Sequence, residues 1–387
     1  MKSLILFIGF VLSFDALPAH AFEQLLPVQV EGKWGYINSS GQIKIQPQFN
    51  FGGRFSDGLA QVGISGKLTE GKTKYGFINE TGAYVVTPKY DQVGDFSEGY
   101  AAVAQGTAWG YIDRTGKTVY TPQALQAQKF SHGLAAVRFY VPVDGKSLAR
   151  WGYLGVDSST GLITEKIAPK FERASSFQPA GNQELAVVTI QKGRDLEYFF
   201  IYKDGQQVGG IYGDLQNFSE GLAAFRYTKD GKIGYLNTNF VVAITPTFEG
   251  PYMGQLHEGI ASVGKFDHMV RSCDNGCRDI PMYKYGFIKY DTQTSKSQMA
   301  IDYKYGRPSN FSEGKAPVAD KWNSKSYYID AKGEGLFKQG MLNHPKKFSC
   351  TSGFESGIAS FCSDSTGDLS YGYMNSDGQI IWDIKKH

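Results

Sequence analysis

Six histidines, a scatter of carboxylates and four cysteines are the side chains with chemistry to offer in this chain of 387 residues. A histidine working as a general base needs a partner within hydrogen-bond reach. His132 and His257 instead stand inside a recurring Phe-Ser-Glu-Gly phrase, which points to turn-forming roles. His268, His344 and His387 stand alone in polar stretches, and His20 lies in a segment expected to be removed. No G-x-S-x-G elbow, Walker loop or H-E-x-x-H pair is present. A glycosidase requires two carboxylates facing each other across a cleft. Asp and Glu recur here chiefly at turn positions, and repetition supplies too many of them to single out a pair. Cys273 and Cys277 sit in a CDNGC stretch, without the further Cys or His that zinc-ligand spacing demands. Cys350 and Cys362 bracket one copy of the Phe-Ser-Glu-Gly phrase. Two local disulfides, Cys273–Cys277 and Cys350–Cys362, are the favoured reading, although four cysteines allow three pairings. The expectation is a chain with no catalytic residue, no cofactor and no metal.

The elements that would hold these side chains repeat. A Trp-Gly phrase recurs nine times at intervals of roughly forty residues, the signature of a repeat architecture. Clear copies read KWGYIN (33–38), KYGFIN (74–79), AWGYID (108–113), RWGYLG (150–155), KIGYLN (232–237), KYGFIK (284–289) and SYGYMN (370–375). EYFFIY (197–202) and SYYID (326–330) are worn copies. Side chains alternate along a strand, so Trp34 and Tyr36 share one face while Gly35 and Ile37 share the other. Glycine weakens a strand unless something packs closely against it. The residues expected to pack the repeat are Trp34, Gly35, Tyr75, Gly76, Trp109, Gly110, Trp151, Gly152, Gly234, Gly286 and Gly372. An Asn/Asp-x-x-Gly turn follows most copies, then a second strand that ends at a proline such as Pro47, Pro88, Pro122, Pro169 or Pro246. Next comes the Phe-Ser-Glu-Gly phrase with a small-apolar strand behind it, as in FSEGYAAV (96–103). No stretch carries sustained helical periodicity.

The fold expected is all-β: about nine three-stranded antiparallel meander units in tandem. The units lie near 26–50, 59–90, 100–123, 134–171, 185–212, 222–248, 260–305, 315–345 and 358–387. Both ends fall at complete units, which favours an open β superhelix. A closed β-propeller, or two smaller closed bodies, is the alternative. The insertions at 266–283 and 292–299 are expected to project from one side as loops.

The first residues read as an export signal. Lys2 precedes an apolar run of eleven residues (4–14), and Ala19-His20-Ala21 offers a cleavage site before Phe22. That run is too short to span a bilayer as a helix, and no later run is longer. Residues 1–21 are therefore expected to leave a mature chain of 22–387, exported to the periplasm or beyond. Without Lys2 and Asp15 that chain holds 39 basic and 36 acidic residues, a balance too weak and too scattered for nucleic-acid binding.

The Trp-Gly-Tyr-Ile-Asn-x-x-Gly phrase, with the proline and the Phe-Ser-Glu-Gly phrase behind it, resembles the bacterial WG-repeat family across essentially the whole mature chain. The resemblance implies an exported binding or scaffolding protein. The hairpins are distantly similar to aromatic cell-wall-binding repeats, which hold ligands between the aromatics of adjacent hairpins. Phe199 and Tyr327 depart from the pattern at the family glycine, and Phe240 at the turn glycine. The function expected is non-catalytic recognition of another protein through a repeat surface. Carbohydrate or cell-wall glycan binding through Trp34, Trp109 and Trp151 is the first alternative, and a hydrolase on a propeller the second.

Overall fold

In most units the Trp-Gly phrase forms the third strand of a small antiparallel sheet in the computed structural model, which describes residues 24–66, 71–157, 159–272, 278–339, 344–345, 347–364 and 369–383. The third sheet shows the plan: Gln92–Val93, Tyr100–Gln105, Ala108–Asp113 and Thr118–Ala124 pair in chain order. The Phe-Ser-Glu-Gly phrase turns the leading strand into the second. Sheets beginning at Phe51–Ser56, Gln126–Ala127, Arg173–Ala174, Asp214–Leu215 and Cys350–Thr351 follow the same plan. The meander unit is thus four-stranded in most copies rather than three-stranded. The extra leading strand is often two residues long, too short to show an alternating pattern. The first sheet has three described strands, Leu26–Val30, Lys33–Ile37 and Ile43–Phe49. The described residues contain no α-helix.

The glycine of the Trp-Gly phrase is explained by the strand beside it. Trp34 pairs with Phe49 and Tyr36 with Ile45, so Gly35 alone faces three residues of a bulged last strand. A Cβ on Gly35 would lie 2.5 Å from the Ile45 carbonyl oxygen and 2.6 Å from the Pro47 nitrogen. Gly76, Gly110, Gly152 and Gly234 meet the same two backbone atoms of their own sheets within 2.8 Å, and Gly286 and Gly372 meet the carbonyl. Proline suits this bulge because it needs no ladder donor there. In the fifth sheet Phe199 takes the glycine's place while the bulge persists, and Gly209 and Gly210 lie in the facing strand. Phe240 holds a left-handed φ of 61° at its turn and packs on Phe200 and Phe218.

Cores form between sheets. Tyr36, Ala60 and Val62 meet in one cluster between the first and second sheets, and Tyr111, Phe130 and Val137 in another between the third and fourth. Burying such side chains contributes roughly 1.5–3 kcal/mol each. No sheet covers both its faces alone, so each depends on its neighbours.

The first and last sheets also touch. Leu26, Val28 and Ile37 share a buried cluster with Ile358 and Trp382. The Gly41 turn of the first sheet packs on Ile381 of the last, much as Gly82 packs on Ile45 and Gly116 on Val86. Arg54 and Glu355 pair at 2.9 Å beside this seam.

Two sequence expectations change at the insertions. The described part of this stretch, 266–272 and 278–283, extends a hairpin of Ile260–Ser272 with Arg278–Asp291, with a register shift between Phe266 and His268, instead of forming a loop. Residues 292–299 lie at the next turn of the same meander. Successive turns of a meander lie at opposite ends of the sheet, so the two insertions project from opposite sides.

Candidate binding surface

The meander gives the array two rims. One carries the Phe-Ser-Glu-Gly turns and the Asn/Asp-x-x-Gly turns. The other carries the turns between second and third strands together with the crossings from one sheet to the next.

On the first rim the recurring Ser and Glu are structural. Glu98 and Gly99 both have positive φ, 54° and 86°, which fits the type I′ geometry of a tight hairpin. The Ser97 hydroxyl donates to the Phe130 carbonyl of the next sheet at 2.8 Å. Ser56 reaches Phe96, Ser131 reaches Phe177, Ser219 reaches Leu256 and Ser312 reaches Phe354 in the same way. The Glu98 carboxylate accepts the His132 and Gly133 backbone N–H groups at 2.6 and 2.8 Å. Glu220 does the same for Glu258 and Gly259. These carboxylates are therefore engaged by neighbouring main chain. His132 contacts Glu184 at 2.7 Å, and Lys203 pairs with the same carboxylate. His257 takes the Ser position, and His268 pairs with Asp267 in the long hairpin. His344 lies in a short strand, while His20 and His387 lie outside the described residues. Among the described residues no three His, Cys, Asp or Glu side chains cluster in metal-binding geometry. Cys350 and Cys362 form a disulfide across paired strands, their Cα atoms 4.9 Å apart. Cys273 and Cys277 lie outside the described residues.

The second rim collects the aromatics. Trp34, Tyr75 and Trp109 stand second in their strands there, Trp151 and Tyr198 hold the matching register positions of longer strands, each half-buried, and Tyr371 is exposed. Trp34, Phe51 and Tyr75 form a run of rings with centroids 6.4 and 5.6 Å apart. Trp109 and Trp151 line a groove of about 630 Å³ with residues 125–128, the crossing into the fourth sheet. A second groove of about 780 Å³ lies between the fifth and sixth sheets, with Arg173, Arg194, Tyr198, Tyr227 and Lys229 in its wall. Gly35, Gly76, Gly110, Gly152, Gly234, Gly286 and Gly372 sit beneath this rim, against their own bulges.

Charges at the crossings hold the rim together. Asp91 lies at one crossing, bonded to Lys74 at 2.5 Å and to the Gly106 N–H at 2.7 Å. The Lys74 ammonium and the Gly106 N–H hold its carboxyl below the ordinary value. Glu172 pairs with Arg150 at 2.8 Å, and Glu249 with Lys232 at 3.9 Å. The basic residue is the one just before the Trp-Gly position. Sequence reading missed these pairs, whose visible signal was the Lys or Arg recurring there. Burial pushes the Tyr285 hydroxyl up to about 12, which keeps it neutral below that range. The grooves therefore offer apolar ring faces, hydroxyl groups and mixed charge, a chemistry suited to recognition.

Comparison with known proteins agrees with the repeat pattern. The WG containing repeat family matches residues 34–67, 75–106 and 109–139, so the chain carries WG repeats over these three segments. No curated protein matches the sequence. Among solved structures, one described as the eukaryotic initiation factor superposes with a TM-score of 0.59 at 12% identity, covering 93% of this chain and 95% of that one. The Dos1 propeller gives 0.41 at 12% identity over 82% and 91% of the two chains. The β-propeller domain of the Trilobed protease from Pyrococcus furiosus, described as having an open velcro topology, gives 0.37 at 11% over 86% and 98%. At 12% identity the likeness to the first of these is one of fold.

Proposed function

We propose that the nine repeat units close into a β-propeller and that the protein is an exported, non-catalytic scaffold that binds another protein on its aromatic rim. The contacts between the first and last sheets support a ring over an open superhelix, because they resemble the contacts between interior neighbours. The observation that carries the binding reading is the recurrence of half-buried aromatics at one end of successive sheets, with grooves between them. Aromatic anchors in grooves beside mixed charge are what protein interfaces favour. The test is capture from an extract of the producing cell on immobilised protein. Trp109→Ala with Tyr227→Ala should lose the captured protein, whereas changes at the exposed Glu98 on the opposite rim should not. Equal capture by both variants would remove the aromatic rim from the reading.

The Trp109–Trp151 groove also favours a second reading, glycan binding, because two aromatic faces line one groove. Retention on purified cell wall that soluble glycan competes away would select it. Export is tested by the mass of the mature protein, expected to begin at Phe22.

A further inference from the structure

We propose that the seam between the first and last sheets is a strand-acceptor groove, in which an extended segment of another polypeptide adds to the edge of Leu26–Val30. The proposal rests on the closed ring above and deepens it.

The interior seams show what such a segment does. In the third sheet the leading segment gives the Gly94 N–H to the Ala102 carbonyl at 2.8 Å. Gln128 to Ala136, Ser175 to Val187, Gln216 to Ala224 and Ser352 to Ser360 repeat the bond. The hydroxyl of the Trp-Gly-Tyr tyrosine in the preceding sheet then donates to a carbonyl of that same segment. Tyr36 to Gly53, Tyr111 to Gln128, Tyr153 to Ser175, Tyr235 to Gly254 and Tyr328 to Ser352 are all such bonds, 2.6–2.9 Å long.

The seam between the last and first sheets differs. Pro27 holds the place of Ala102, since Pro27 faces Tyr36 as Ala102 faces Tyr111. Its carbonyl accepts from the Tyr373 hydroxyl at 2.9 Å, so Tyr373 bonds the second strand where its counterparts bond a leading segment. Among the described residues Leu26–Val30 pairs along one edge only. A groove of about 450 Å³ runs along that edge, lined by Val28, Gln29, Trp34, Phe361, Tyr371 and Trp382 among others. Between the third and fourth sheets the corresponding place is filled by residues 125–128. An incoming strand would give an N–H to the Pro27 carbonyl, accept from Tyr373 and set an apolar side chain among the rings, the backbone-plus-pocket mode of strand addition.

The chain's own residues are poor candidates for this place. In the second and third sheets the leading strand starts eight residues before its partner strand, Phe51 before Leu59 and Gln92 before Tyr100. Gly94, which gives the N–H, stands eight residues before Ala102, and the same count back from Pro27 reaches Ala19, ahead of the cut expected before Phe22. Cleavage before Phe22 would leave the edge to a second polypeptide.

The test uses the exported, full mature chain and a synthetic peptide of residues 50–56, the leading strand of the second sheet. Peptide should slow hydrogen exchange about tenfold or more at Gln29, whose N–H faces the open edge, leaving the other sheets unchanged. Tyr371→Ala, an exposed change in the groove wall, should weaken binding about tenfold without lowering stability. A peptide with proline at the Gly53 position, which takes away the N–H for the Pro27 carbonyl, should fail. A short bis-maleimide joining Arg54→Cys to Glu355→Cys reports whether the seam is closed. No cross-link overturns the ring and this proposal together. Cross-linking with exchange unmoved by millimolar peptide overturns the acceptor alone. So does a mature chain that begins upstream of Ala19 and already shows the Gln29 amide as protected as those of 101–104.

Discussion

At the scale of single residues, two kinds of side chain carry the repeat, and they differ in how visible they are in sequence. The glycine of the Trp-Gly phrase was legible, because a strand tolerates a missing side chain only where something else comes close. A Cβ at Gly110 would sit 2.3 Å from the Tyr120 carbonyl. Gly110→Val should therefore cost about 3 kcal/mol through overpacking against rigid backbone, while Ala108→Ser should stay within about 0.5 kcal/mol. Urea midpoints of the two variants check this, and equal midpoints would remove the account of the glycine. The crossing carboxylates were not legible, because their basic partners stand 17 residues away in two pairs and 22 in the third, and the acid itself varies between copies. Asp91 has a folded pKa below its ordinary 3.8, set first by Lys74. Its stabilisation is fully present above that ordinary value and is lost as pH falls through the lower folded one. Asp91→Asn should thus bring the stability measured at about pH 5 closer to that at about pH 3, and an unchanged difference would dismiss Asp91 as a source of acid sensitivity.

At the scale of elements, periodicity revealed the long strands and concealed the short ones. Three strands per unit show alternation or a punctuating proline. The leading strand, as in Gln92–Val93, is too brief to register in sequence and is fixed by the hydrogen bonds it makes. The Phe-Ser-Glu-Gly phrase was recognisable as a turn, but not as a link to the next sheet, because the acceptors are backbone atoms that leave no trace in residue identity. Ser97→Ala removes a single part-buried bond between the third and fourth sheets and should cost about 1 kcal/mol. Thermal unfolding of that variant gives the measurement, and an unchanged midpoint would mean the hydroxyl bond does not hold those sheets together. The insertion at 266–283 read as polar loop because its strands lack a core face, yet its pairing continues a ladder already started by Ile260 and Lys289.

At the scale of the whole molecule, copy number and spacing were open to inspection, whereas closure was not, since it depends on how far each sheet rotates against the last. The first sheet leans on the last through Leu26, Val28, Ile358 and Trp382. A chain ended after Lys347 should therefore lose exchange protection at Val28–Val30, far from the cut in sequence. An open superhelix would leave those amides untouched, so the measurement separates the two shapes. The ties between sheets share one property: a serine, glutamate or tyrosine on one side reaches a peptide group on the other. Every residue type brings a carbonyl, and every one but proline an N–H, so the joint makes few demands on its neighbour's identity. Gene duplication or loss could thus lengthen or shorten such an array by one unit without rewriting the remaining units, and the outward-facing residues would be free to drift towards new ligands.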